Sequence, residues 1–238
     1  MYVSTVKEIE DSLPDGYKII HAGCENKPFI RTDLKDNILD NISIKNQSYC
    51  ELTVLYWIWK NSDSDINGLV HHRRFFFNKG IFSHILTIEE VQKILSENEM
   101  IIPKPVYVGE GVEAQYKQAH ISEDYDLCRE IVRENFKEYV EAFEFNSRMQ
   151  YLHPYNMLIT RKNILNDYCS FLFSILERLE EKIDIHERNP YQQRVFGFLG
   201  ERLFQTWLIK NSNLTTIEFP VYNVEKSLSK QKIKSLFK

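Results

Sequence analysis

The 238-residue chain contains no apolar run approaching the ~20 residues that a membrane-crossing helix requires. Its longest apolar stretches, Leu52–Trp59 and Cys169–Leu176, read as buried helix faces. Met1–Thr5 is too short to be a signal peptide. Four cysteines, Cys24, Cys50, Cys128 and Cys169, lie far apart with no CxxC pair. That spacing argues against a zinc site or a disulfide framework and fits a reducing cytosol. Cys50, Cys128 and Cys169 fall in apolar helical patterns and are expected to be small core residues. Net charge is only −4, so nothing pulls the whole molecule toward nucleic acid, and any anion site must be local. No GxSxG or Cys/His nucleophile pattern is present to support a hydrolase with His71 as base.

What is present is an ordinary globular composition, 43% hydrophobic and 27% charged. The length suits one domain, or one domain with a small appendage. Strand patterns at Tyr2–Thr5, Tyr17–Ile20, Ile66–Val70, Met100–Pro103, Asn156–Thr160 and Thr215–Tyr222 alternate with helical ones. The helices are expected at Tyr49–Asn61, Thr87–Asn98, Ser122 to about Phe136, Lys162–Lys182 and Tyr191–Lys210. Thr87 with Glu90 spells a capping box, and Ser122 reads as the cap of its helix. Asn26–Ser43 reads as loop, Ile81–Leu86 as a loop with apolar anchors, and Val112–His120 fits neither pattern cleanly. Strand–helix alternation points to a layered α/β sheet.

The richest stretch is Ile66–Phe77, INGLVHHRRFFF. A short buried strand delivers His71, His72, Arg73 and Arg74 at its carboxyl end. In open α/β sheets that end is where ligands bind, and arginine forks match phosphate oxygens in a bidentate way. The segment therefore points to an anionic ligand, a diphosphate above all. One of the two histidines is expected to be a core residue bonded to backbone. A metal site built from both is disfavoured, because adjacent strand residues face opposite ways. Asp63-Ser64-Asp65 spells a metal-binding DxD, but it precedes the strand, at the wrong end, and reads as an ordinary turn.

Lys45, Asn46 and Glu51 flank a helix start, where anions bind and amides read nucleotides; capping by Asn46 or Ser48 is the alternative. His120, His153, Tyr155 and Asn156 could line a cleft mouth or simply pack loops. Two glycines in Gly197-Phe198-Leu199-Gly200-Glu201-Arg202 are costly in a helix, ~1 kcal/mol each, and suggest a close approach of backbone or ligand.

Several ordered blocks carry a resemblance: Asp40–Thr53 (DNISIKNQSYCELT) with Leu55-Tyr56-Trp57, then Gly68–Phe75, His120 with its acidic neighbours, Tyr155-Asn156-Met157, and Tyr191–Leu203. Over roughly residues 1–222 the chain resembles the bacterial domain-of-unknown-function family numbered 4422, common in capsular and exopolysaccharide loci. His72 stands where the family usually has tyrosine, and Thr5-Val6-Lys7 replaces its usual Thr-His-Lys. The resemblance implies a single-domain α/β fold, Rossmann-like and GT-A-like, with a mixed central sheet flanked by helices. It implies a glycosyltransferase that moves a sugar, galactofuranose in some relatives, from a UDP-type donor to a lipid-linked or growing surface polysaccharide. A non-catalytic nucleotide-sugar-binding subunit is the alternative.

On that reading Glu201, Asp124 and His71 are the catalytic candidates, Glu123 being a further carboxylate to weigh as base. Lys45, Asn46, Glu51, His72, Arg73, Arg74, His120, Tyr155, Asn156 and Arg202 would bind nucleotide or substrate. No cofactor is expected to be required: Arg73 or Arg74 would neutralise the diphosphate, with a divalent metal the less favoured alternative. The expected location is cytoplasmic, peripheral at the inner membrane face. The basic tail, Lys226 to Lys238 within the appendage 223–238, would either lie on an anionic membrane or form a solvated, frayed helix.

Overall fold

The computed structural model describes residues 1–9, 12–79 and 83–223. The basic tail expected beyond residue 223 lies outside the described residues, as does part of the loop at 80–82.

Among the described residues twelve strands and eight α-helices follow in order: β1 Tyr2–Thr5, β2 Lys18–His21, β3 Leu34–Lys35, α1 Asn46–Tyr49, α2 Leu52–Asn61, β4 Ile66–His71, β5 Arg74–Asn78, β6 His84–Ile85, α3 Ile88–Glu97, β7 Met100–Pro103 and β8 Val106–Tyr107. Then come α4 Val112–Ala119, α5 Ser122–Asn135, α6 Val140–Arg148, β9 Tyr151–Leu152, β10 Leu158–Arg161, α7 Lys162–Glu180, α8 Val195–Lys210, β11 Thr216–Phe219 and β12 Val221–Asn223. The main sheet runs β11-β7-β10-β4-β1-β2-β3, all parallel except β10, which is antiparallel to both neighbours. This is the layered α/β sheet that the alternation of elements leads one to expect, mixed and flanked by helices as the resemblance implies.

Apolar strands are sandwiched because both faces are covered. One face packs Leu69, Met100 and Leu158 against α2, α5, α7 and α8, with Leu55, Ile58, Tyr168, Leu172, Phe196 and Phe204 fully buried. The other packs Val3, Val70, Ile101 and Ile159 against α3 and the aromatic pair Phe75 and Phe76. The Thr87 capping box forms in full. Ser122 instead lies inside α5, whose first turn has no side-chain cap; Glu123 and Asp124 supply the charge favoured there.

Three sequence expectations shift. The helix expected from Tyr49 is broken at Cys50, which has φ 53 and ψ −131. Asn46 explains the break: its amide donates to the Cys50 carbonyl and to Thr53 Oγ1, closing α1 before α2 begins. Val112–Ala119 is helical, and α6 occupies a stretch with no strong periodic signal. The strand expected from Asn156 starts at Leu158, because Tyr155 and Asn156 both take left-handed backbone, φ 80 and 51.

Register aligns the ends of the parallel strands. Ser4 faces His71, and Thr5 faces His21, so β1, β2 and β4 finish at one level.

Candidate active site

A cavity of about 570 Å³ opens at that level. The chain steps outward from β1 to β2 and β3, then returns on the other side of β1 as β4, so the crevice sits at the topological switch point. One wall is Ser4, Thr5 and Val6 with Ala22; the floor is His71–Arg74; the far wall comes from α1, α4 and α8.

The cationic floor is a hairpin tip. His71 pairs with Arg74 across a two-residue turn, and the His72 backbone N–H donates to the Ser4 carbonyl at 3.1 Å, pinning the tip to β1. His71 is buried, and burial together with Arg74 pushes its pKa down to about 3. It is therefore neutral at physiological pH, and the positive charge belongs to the arginines. The Arg74 guanidinium lies 4.5 Å from the Tyr155 ring centre. Arg194 adds a further cation from the start of α8, its Nε donating to Cys50 Sγ at 3.2 Å.

Opposite the cations stand two carboxylates, Glu51 and Glu201, both lining the cavity. The left-handed turn Tyr155–Asn156 holds both. The Tyr155 N–H donates to Glu201 Oε1 at 2.6 Å, and Asn156 Nδ2 donates to Glu51 Oε1 at 2.7 Å. Two successive non-glycine residues in this region cost of order 1–3 kcal/mol each, a strain kept only where the surroundings enforce it. Burial raises the pKa of both carboxyls, and each hydrogen bond partly offsets that rise; the Glu51 charge also raises that of Glu201.

The costly glycines of α8 have their explanation here. A Cβ on Gly197 would meet Cys50 Sγ at 3.1 Å, and one on Gly200 would meet Leu52 Cδ1 at 2.8 Å and Asn156 Oδ1 at 3.1 Å. The glycines let α8 press against the Cys50 break and the Tyr155–Asn156 turn, which brings Glu201 beside Glu51.

Of the residues singled out in the sequence, Asn46, Glu51, His71, His72, Arg73, Arg74, His120, Tyr155, Glu201 and Arg202 line the cavity. Asn156 stands behind it, orienting Glu51. Arg202 is 3% exposed and spends its guanidinium on Glu201, the Phe198 carbonyl and Gln115, which makes it a brace for Glu201 rather than an open anion ligand. Asp124 and Lys45 are off the cavity. Asp124 is buried in a bidentate pair with Arg188, at 2.6 and 2.8 Å, because the first turn of α5 faces the segment after α7. Lys45 reaches Glu180 at 2.6 Å. His153 turns to Gln205 and Glu218. Asp63-Ser64-Asp65 occupies the turn before β4, the opposite end of that strand. Among the described residues no cluster of three His, Cys, Asp or Glu side chains is arranged to hold a metal ion, and no helix is long and apolar enough to cross a membrane.

Sequence reasoning missed Cys50, Gln115, Tyr191 and Arg194 as wall residues. Cys50 was expected in the core; the break in the helix turns it to the cavity instead. Stepping back from Glu201 by three, then four, gives Phe198 and Arg194, the neighbours on one helical stripe, so the periodicity held the signal.

A family model described as Domain of unknown function (DUF4422) matches residues 1–212. Among solved structures, the chain is similar to the apo structure of WbbM, a bifunctional glycosyltransferase, with TM-score 0.87 and 30% identity over 94% of this chain. The chain spans 45% of the length of that protein. A comparison with curated proteins found no match.

Proposed function

From the premise that the chain belongs to the DUF4422 family, we propose that it is a glycosyltransferase that uses a nucleoside-diphosphate sugar, UDP-linked in the first instance. The observation that carries this reading is the cavity itself: an arginine-bearing hairpin tip at the switch point, facing two half-buried carboxylates. The donor diphosphate would lie along Arg73, Arg74 and Arg194, with the nucleoside toward Ser4–Val6, Ala22 and Asn46. As the bond from the sugar's anomeric carbon to the diphosphate breaks, negative charge gathers on the leaving oxygen. Preorganised guanidinium groups stabilise that charge without a metal ion.

Glu201 serves as general base. It takes the proton of the acceptor hydroxyl while that oxygen bonds to the anomeric carbon. The Tyr155 N–H and Arg202 hold its oxygens in place for that step. Glu51 binds a sugar hydroxyl. The acceptor is a lipid-linked or growing surface glycan, met at the cytoplasmic face of the membrane, and galactofuranose is the sugar to test first.

The test is thermal stability with UDP, GDP, CDP, CMP and dTDP, each with chelator and with Mn²⁺. A ligand that binds only the native state at 100 times its Kd adds about 2.7 kcal/mol. One nucleoside diphosphate should stabilise the protein under chelator, and turnover of its sugar should survive chelation. No shift with any nucleotide would remove the reading; turnover strictly dependent on added metal would remove the arginines' role in it.

A further inference from the structure

One part of the far wall, where the segment before α8 meets α8 and the end of α4, is aromatic. The His120 ring stacks on Phe198 at 4.0 Å between centres and 26° between planes. Tyr191 lies 5.5 Å from His120 at 21° and 5.1 Å from Phe198. Tyr191 is 50% exposed, so one face of the stack is open.

The shelf is held rigid from beneath. The segment bearing Tyr191 is tied to α5 by the buried Arg188–Asp124 pair and to α4 by Gln192 Nε2 donating to the Ala119 carbonyl at 3.0 Å. An exposed ring on a braced segment loses little freedom when something stacks on it.

Position decides what that something is. Phe198 and Glu201 are three apart on α8 and share one helical stripe, with their Cβ atoms about 5–6 Å apart, so the shelf and the carboxylate line the same part of the cavity. A ring lying on the shelf therefore presents its substituents to Glu201. A nucleobase does not suit that place, because it is separated from the reacting carbon by a ribose and two phosphates. A sugar ring of the acceptor does suit it. Its faces carry C–H groups with slight positive charge, which match the negative face of an aromatic ring, while its hydroxyls point outward from the rim.

We infer that Tyr191, Phe198 and His120 form the acceptor subsite, a stacking platform for one sugar ring whose hydroxyl is delivered to Glu201. This rests on the transferase reading above. The shelf adjoins the diphosphate end of the site, since the Arg194 guanidinium lies 5.2 Å from the Phe198 ring centre, and uses none of the residues given to the nucleoside, so the two ligands should bind together.

The experiment is saturation-transfer NMR with octyl glycosides of galactose, glucose, mannose and N-acetylglucosamine. Each is run with and without whichever of UDP, GDP, CDP or dTDP stabilises the protein. At least one glycoside should bind, and the nucleotide should leave its Kd unchanged or lower it. Tyr191→Ala should raise that Kd tenfold or more, Tyr191→Phe should keep it within about twofold, and neither should alter nucleotide affinity. The inference is overturned if nucleotide displaces the glycoside, or if Tyr191→Ala weakens nucleotide instead, which would make the shelf a nucleobase platform. Nucleotide binding with no glycoside binding also overturns it and leaves the transferase reading standing. Binding of neither class overturns both.

Discussion

The cavity's two charged sides are built in opposite ways. Most of the cationic side is one contiguous stretch, His71–Arg74, delivered by a single hairpin, with Arg194 added from the start of α8. The acidic side is assembled from three distant pieces: Glu51 at the start of α2, the Tyr155–Asn156 turn, and Glu201 in the middle of α8. A contiguous site needs only its strand to be in place. An assembled site needs a broken helix, a strained turn and two helical glycines to agree, so its chemistry is bound to packing.

Separating the two sides begins with Glu201. Glu201→Gln keeps an oxygen for the Tyr155 N–H and removes the base. Turnover should fall by about 10²–10⁴, as for loss of a general base, with nucleotide stabilisation unchanged. The pH profile sharpens this. Because burial raises the Glu201 pKa, activity should be lost on the acid side at a pH above the ordinary carboxyl value of 4.5, as protonation removes the base. The Gln variant should lack that limb. Near-normal turnover in the variant would take Glu201 out of the mechanism.

Arg74→Ala tests the contiguous side. It should cost about 10²–10³ in turnover, the scale for one preorganised group at developing charge, and here nucleotide stabilisation should fall as well. The sides are also coupled: Arg74 lowers the pKa of both Glu51 and Glu201. Its removal should move the acid limb upward, whereas an unmoved limb would show the two sides to be electrically independent.

These differences also set what could be read in advance. The strand–helix alternation, the β4 segment and its basic end were legible because each is a local pattern. So was the cost of the glycines at 197 and 200, though their partners, Cys50 and Asn156, were not. Asp124 was misleading for a physical reason: an acidic first helical turn looks alike whether it faces substrate or, as here, Arg188. The Tyr155–Asn156 turn had no sequence signature, since neither residue type demands left-handed backbone. Glu51 and Glu201 are 150 positions apart, and nothing short of the packed helices brings them together.

Asn156→Ala addresses that assembly directly. It leaves Glu51 without its amide donor, and lifting that hydrogen bond should raise the Glu51 pKa further. An orienting partner one step behind a functional group is typically worth about 10–100-fold, so turnover should fall by about tenfold, less than for either charged residue. Arg74→Ala in the same background should be additive if the sides act independently and less than additive if they share one charged network.

The smallest expected effect falls on Gly200. Gly200→Ala adds one methyl where Leu52 Cδ1 is 2.8 Å away and Asn156 Oδ1 is 3.1 Å away. Leucine can rotate aside, but the amide is fixed by its bonds to Glu51 and the Gly197 carbonyl. Overpacking of this kind costs about 1–3 kcal/mol, partly returned by alanine's better helix propensity, about 1 kcal/mol. Urea denaturation should therefore show a net loss of at most about 2 kcal/mol. Turnover should fall while nucleotide affinity holds, because the methyl displaces the acidic side and leaves the hairpin tip untouched. A loss of nucleotide affinity as large as that from Arg74→Ala would mean that the hairpin tip depends on α8 as well, beyond the one contact through Arg194, and the contrast between a contiguous and an assembled side would not survive.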